Sequence, residues 1–409
     1  MSNPRYRTPD IQENAPNWSA ANWMISFGYV WFFAGIAAFT PFAAIYYRSL
    51  DFSSVQVGLL AAMPAIGLAI TGAMWGAIAD TMAKHRTMLR VALLLGAIFA
   101  FLASRAEGFP LVFTWIVLLS LSTVPLRSLM DHYAVLIGGH IKKPFGRIRL
   151  WGAFGYTAFA LSLGRIMNEE VTSFFLVAYG VSLLLTLVST YSLPQLPVQE
   201  RRPLLEGVGE LLQNRRLMLV LVVAFAQAVA AFLIVASLGY HITSMGGNAS
   251  QVGVAFAVAA VSELPIFLIG YWLYKKVGPD RLIAILLAFY AVRMLLLAVV
   301  QTPESVIVLQ ALHGVTFGGF LVVCVPRAHE LARGRHSATV QALVTLAAFG
   351  LGNIAGSFLG GALLDHTRQV YIGTAVLIAL VLVVYVVGVR YLNANPRLDQ
   401  RVQPISVDL

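Results

Sequence analysis

Residues 250–274 read SQVGVAFAVAAVSELPIFLIGYWLY. An α-helix rises 1.5 Å per residue, so about 20 apolar residues cross the hydrocarbon core of a bilayer. This run is long enough, and it holds one charged side chain, Glu263. A carboxylate at such depth costs at least ~2.5–3.5 kcal/mol, so it is rare unless it meets a partner or a water-filled path. The stretch therefore predicts a membrane-spanning helix whose one charge has a task.

The rest of the chain follows the same pattern. Of 409 residues, 59% are hydrophobic and 11% charged, against about 25% charged in a soluble domain. Twelve apolar runs emerge, at about 20–47, 54–78, 87–104, 109–138, 147–168, 171–193, 216–243, 250–274, 281–300, 304–332, 336–364 and 369–392. Lipid offers no partner for free backbone groups, so all twelve spans are expected to be helical. The single cysteine, Cys324, excludes a disulfide within the chain and a multi-cysteine metal site. No cofactor or metal is expected. Met1 to Asn17 is polar, and the apolar run after it is too long for a signal peptide's core.

A net charge of +10 invites a nucleic-acid reading, but the cations fall in alternate loops, as they do in oriented membrane proteins. With the N-terminus in the cytosol, 21 Lys and Arg lie on inner segments. The outer segments hold four, Arg48, Arg105, Arg165 and Arg368, and Arg127, Arg293 and Arg327 fall inside spans. Both termini are thus expected inside, and no nucleic acid is expected as a partner. The longest inner loop, 194–215, divides the chain into a 1–17 tail, a six-helix unit at 18–193, a second at 216–393, and a 394–409 tail. Around Leu204, Leu205, Leu211 and Leu212 that loop can form a short amphipathic surface helix.

The halves look like copies. Ser54-Val55-Gln56-Val57-Gly58 matches Ala249-Ser250-Gln251-Val252-Gly253, and Val124-Pro125-Leu126-Arg127 matches Val325-Pro326-Arg327. Duplicated helix units mark secondary transporters, whose site lies between the halves near the midplane.

Trp75-Gly76-Ala77-Ile78-Ala79-Asp80, followed by Lys84 and Arg86, resembles the loop between spans 2 and 3 of the major facilitator superfamily, with Thr81 and Ala83 departing from the usual pattern. Phe145-Gly146-Arg147-Ile148-Arg149-Leu150-Trp151-Gly152, Leu312-His313-Gly314-Val315-Thr316-Phe317-Gly318 and Ala338-Thr339-Val340-Gln341-Ala342-Leu343, with Glu263 and Arg293, are similar to the phenylpropionate-permease and nucleoside:proton-symporter branch. The resemblance implies two six-helix bundles rocking about a central site, a cavity lined by spans 1, 4, 7 and 10, and a monomer in the bacterial inner membrane.

Glu263 in span 8 and Arg293 in span 9 are expected to pair directly, either as a structural brace or as a proton-linked switch. Arg127 and Asp131 lie one helical turn apart in span 4, where a local salt bridge is easy. Asp131 and His313 are further proton-coupling candidates. Tyr29, Phe33, Arg127, Trp151, Tyr156, Gln227, His313, Gln341, Thr345 and Asn353 are candidates for solute contact, each weighed against plain packing. Asp80, Lys84, Arg86, Arg327 and Glu330 are gating candidates, with Arg327 the symmetry mate of Arg127.

No phosphate loop precedes a Lys-Ser/Thr pair and no His-Glu-x-x-His motif occurs, so no enzyme is expected. The expectation is proton-driven symport of a small organic solute, an aromatic or other organic acid, a nucleoside or a sugar. The excess of basic groups within spans tilts it toward a carboxylate. A proton-antiporting exporter of drugs or lipids and a non-transporting ligand sensor are the rivals.

Overall fold

The computed structural model describes residues 17–82, 85–142, 145–168, 170–194, 207–332 and 337–395. Among them every regular element is helical. The long helices are α1 (Trp18–Ser49), α2 (Ser54–Met82), α3 (His85–Ser104), α4 (Phe109–His140), α5 (Phe145–Met167), α6 (Phe174–Ser192), α7 (Arg215–Ser244), α8 (Ala249–Val277), α9 (Pro279–Val299), α10 (Pro303–Leu331), α11 (Thr339–Ala362) and α12 (Thr367–Ala394). Eleven helices among the described residues are long and apolar enough to cross a membrane. The twelfth, α5, has the length at 23 residues, but Arg147, Arg149 and Arg165 reduce its apolarity. It is nonetheless packed between α1 and α8.

Local chemistry sets the boundaries. Asn248 and Gln251 form a reciprocal capping box that starts α8. Gly278, at φ 84°, ends α8, and Pro279 opens α9, where its missing N–H costs nothing. Pro41 falls where α1 breaks into Trp18–Phe39 and Ala43–Ser49. The inner loop contains the short helix Val208–Gln213, with Leu211 buried; Leu204, Leu205 and Glu206 lie outside the described residues. Two helices carry π segments, Gly314–Gly318 in α10 and Leu346–Gly352 in α11. Such widened turns concentrate at functional sites.

α1 packs between α5 and α6, α3 against α4 and α6, α9 against α12, and α7 against α11 and α12. The two most extensive junctions between the helices before the long 194–215 loop and those after it are α5 on α8 and α2 on α11, and the end of α1 adds a smaller contact with α7. At both, backbone meets backbone. A Cβ on Gly253 would lie 2.3 Å from the Ala160 carbonyl oxygen, and one on Gly361 would lie 2.5 Å from Gly58 Cα. Gly58 and Gly253 hold matching places in the repeat, as do Gly164 and Gly361, so one close crossing is used twice.

Polar contacts seal the same end. Arg48 Nη2 donates to Asp365 Oδ1 at 2.9 Å, and the Ser54 hydroxyl donates to the other Asp365 oxygen. The Arg48 guanidinium lies 5.7 Å from the Tyr240 ring centre, and Ala249 N–H donates to the Asn168 carbonyl at 3.0 Å. This sealed end carries the cation-poor loops. Toward the cation-rich end, Arg127 and Gln341 are exposed and Trp151 is 41% exposed. We read these exposed positions as the lining of a central cavity open on the cation-rich side.

Gly253→Leu and Gly361→Leu should each prise the sealed end apart. Overpacking costs typically ~1–3 kcal/mol, enough to shift a two-state equilibrium by about tenfold. With Cys324→Ala as background, a cysteine at Ile45 should react several-fold faster with an impermeant maleimide in either variant. Unchanged labelling would mean that the crossings do not hold the seal.

Candidate functional site

The charge in α8 is held by a chain of side chains from α9 and α10. Glu263 Oε1 lies 3.2 Å from His313 Nε2. His313 Nδ1 lies 3.3 Å from Arg293 Nη1. A guanidinium can only donate, so Nδ1 accepts and the ring proton belongs on Nε2, directed at Glu263. The expected direct pair between Glu263 and Arg293 is therefore corrected. Adjacency of spans 8 and 9 in sequence suggested it, but His313 from α10 stands between the two charges.

Arg293 is 0% exposed. Besides His313, its Nη1 donates to Thr316 Oγ1 at 2.7 Å and its Nη2 to Gln310 Oε1 at 2.8 Å. Gln310 is fixed in turn by its own donation to the Val306 carbonyl at 3.1 Å. Gly314 makes the arrangement possible: a Cβ there would fall 1.8 Å from the Ser262 carbonyl oxygen. α8 and α10 touch at this point, and Gly314 N–H donates to the Ser262 hydroxyl at 2.8 Å. The π segment begins immediately after His313, whose ring stacks on Phe317 at 5.2 Å.

The opposite wall comes from α1, α4 and α5. Asp131 accepts a hydrogen bond from the Tyr29 hydroxyl and lies 3.7 Å from Arg149 Nη1. The Arg149 guanidinium lies 5.8 Å from the Phe33 ring centre. The local pair of Arg127 with Asp131 that the one-turn spacing makes easy does not form; Tyr29 and Arg149 both approach Asp131 through Oδ1. Arg127 is exposed to the cavity with no hydrogen-bond acceptor among the described residues, and it lies within electrostatic reach of Glu263, as Tyr156 does. Tyr29 is buried, so it fixes Asp131 rather than facing the cavity.

The remaining candidates spread more widely. Gln227 is 2% exposed and faces inward, 3.9 Å from Cys324 Sγ, beside a small void lined by Phe232, Phe317 and Phe349. Gln341 and Thr345 share a face of α11, with Gln341 Oε1 3.1 Å from His329 Nε2. Asn353 accepts from the Ser357 hydroxyl at 2.8 Å. Arg327 is not a counterpart of the free Arg127: it grips Asp280 with two bonds, of 3.1 and 2.9 Å, and lies 3.5 Å from Glu330. Tyr385 donates to the same aspartate. Arg86 donates to the Leu193 carbonyl at 3.1 Å, closing the end of α6. The Asp80 side chain and Lys84 lie outside the described residues.

Comparison with known proteins agrees with this architecture. The MFS_1 like family matches residues 22–372. The chain belongs to this family of major facilitator transporters. It is therefore a transporter and not an enzyme. It is 27% identical over 353 residues to the maltose permease of Geobacillus stearothermophilus, covering 85% of this chain and 90% of that protein. It is 24% identical over 356 residues to the putative nucleoside transporter YegT of Escherichia coli strain K12, covering 82% of each. The crystal structure of the nucleoside transporter NupG superimposes with a TM-score of 0.80 at 16% identity, over 91% of this chain and 99% of that one, which speaks for the fold alone.

Sequence reasoning missed three residues of this candidate site: Arg149, Gln310 and Thr316. Gln310, His313 and Thr316 recur every third residue along one face of span 10, which was a readable signal. Gln310→Leu should leave Arg293 Nη2 without its acceptor and destabilise the protein by about 1–3 kcal/mol. Thermal unfolding in detergent should show a lowered midpoint for Gln310→Leu and recovery for Gln310→Glu. A leucine variant as stable as the parent would mean that water or another group serves this donor.

Proposed function

We propose that the transporter imports a neutral solute bearing a sugar ring, a glycoside or a nucleoside, together with a proton. It would act as a monomer in the bacterial cytoplasmic membrane, with both termini in the cytosol, by alternating access. The observation that carries the reading is the contact of Glu263 with His313 at the cavity edge. Arg293 fixes the imidazole as a donor, which leaves the Glu263 carboxylate as the acceptor in this contact and the group we assign to carry the proton. Protonation would weaken the charged bond to His313 and loosen the tie between α8 and α10. Loading and unloading Glu263 can thereby bias the two halves toward different arrangements.

The charge balance of the cavity supports a neutral solute. Arg127 and Arg149 stand against Asp131 and Glu263. The basic excess read along the spans came partly from Arg293 and Arg327, and neither is free: one is buried behind His313 and the other bonds Asp280. Arg127 can donate two parallel bonds to neighbouring hydroxyls, and Trp151, Phe33 and Tyr156 offer ring faces, a combination that suits a sugar or a nucleobase. The relatives named a maltose permease and a putative nucleoside transporter point the same way.

Proteoliposomes given an inward pH gradient and labelled maltose, uridine, adenosine or phenylpropionate test the reading. A sugar-bearing solute should accumulate with protons, and accumulation should vanish when the gradient is collapsed. Glu263→Gln should lose accumulation and keep solute exchange. Uptake of phenylpropionate alone, or accumulation indifferent to the gradient, would overturn the proposal.

Arg127→Gln should raise the half-saturating solute concentration by about 10- to 100-fold, the loss of charge-assisted hydrogen bonds. Counterflow at varied solute concentration measures it, and an unchanged value would remove Arg127 from the binding site.

A further inference from the structure

We propose that the cation-rich end of α8 is a binding site for an anionic phospholipid, its headgroup held by Lys275, Lys276 and Arg281. Two contacts fix which faces of α8 are packed. Gly270 lies against Val322 of α10, where a Cβ would come within 2.5 Å, and Gly253 lies against α5. Val261, Pro265, Leu268, Trp272 and Lys276 fall on the face turned away from α10, and all five are exposed. Leu268 reaches 84% and Trp272 56%. Along this stripe the chemistry runs from aliphatic to aromatic to cationic over about 22 Å of helix. That is the order of a lipid from acyl chain through glycerol to headgroup.

The cationic end is held in place. Lys276 Nζ lies 4.6 Å from the Trp272 ring centre, and Lys275 Nζ lies 5.6 Å from that of Tyr271. The stems lie along the rings and the ammonium groups sit at the level where tryptophan and tyrosine settle in a bilayer. Arg281, six residues past Lys275, is exposed as well. The nearby carboxylate, Asp280, cannot neutralise these three cations. Arg327 holds both of its oxygens, Tyr385 bonds one, and Arg216 lies 3.9 Å away. Glu330 is likewise drawn to Arg327, at 3.5 Å, so among the described residues the patch keeps a net positive charge, and a headgroup with net negative charge complements it where a zwitterionic one does not. Each cation near such a surface favours the anionic lipid by roughly fivefold.

The site takes nothing from the proposed solute or proton coupling, and vesicles with the same lipids in both leaflets make the test independent of orientation. The intact transporter is reconstituted in phosphatidylethanolamine bilayers with brominated phosphatidylglycerol or brominated phosphatidylcholine in equal minor proportion. The fluorescence of the parent minus that of Trp272→Phe isolates the tryptophan on the stripe. Quenching of Trp272 should be at least about fivefold more sensitive to the brominated anionic lipid. The preference should fall as salt is raised and disappear in the Lys275→Gln, Lys276→Gln double variant. Equal quenching by the two lipids in the parent would overturn the proposal, as would a preference that survives loss of both lysines. If the double variant does not fold, the parent's lipid preference and its salt dependence decide the matter alone.

Discussion

The C-terminal half of this transporter is organised around a cation that never meets water. Arg293 is fully buried, and an isolated guanidinium in so apolar a bundle would carry a desolvation cost of several kcal/mol. Its surroundings answer with three acceptors from one face of α10: Gln310, His313 and Thr316. These bonds fix the rotation of α10 against α9. They also set which nitrogen of His313 carries the proton, and through it the orientation of Glu263 on α8. The backbone approach at Gly314 and the π segment beyond it follow from the same demand, since α10 must bring His313 between two helices at once.

The two halves share their closure and differ in their chemistry. Gly58 meets Gly361 and Gly253 meets Gly164 in equivalent crossings, so the sealed end is built from one device used twice. The cavity walls are not equivalent. On one side Tyr29 and Arg149 hold Asp131, and Arg127 has no hydrogen-bond acceptor among the described residues. On the other, Glu263 is tied to a buried arginine through one imidazole. A rigid polar wall facing a carboxylate on a tunable tether is the arrangement in which two ligands can favour the same closure.

The fold was legible because lipid is a strict solvent. Apolar runs of sufficient length can only be helices there, and the asymmetry of cations between loops orders them. The site was legible in part. Glu263, His313 and Arg127 stood out because charged groups are costly within spans. Their partners did not, for a geometric reason. Adjacency along the chain suggested Glu263 with Arg293 and Arg127 with Asp131, yet the contacts are made by other helices, α10 in the first case and α1 and α5 in the second, which sequence spacing does not encode. Arg149 was read as a loop cation because α5 begins with charged residues, and only the fold turns it toward Asp131. Gln310 and Thr316 carry no charge, so their regular spacing went unused.

Comparison of the repeats explains why the chemistry is one-sided. The offset that aligns Gly58 with Gly253 sets Glu263 opposite Leu68 in α2, and the offset that aligns Pro125 with Pro326 sets His313 opposite Val112 in α4. Leucine and valine at those places need no partner, and α2 and α4 can pack without a buried arginine between them. The N-terminal copy carries its charges on α4 and α5, where Arg127 is exposed and Asp131 and Arg149 are half-buried. The C-terminal copy carries its arginine in the core, where only protein groups can satisfy it. A group whose partners are all protein is sensitive to small movements of the helices that supply them, whereas one shared with water is buffered against such movement. That difference makes the C-terminal half the side on which a single change at Glu263 is felt across three helices.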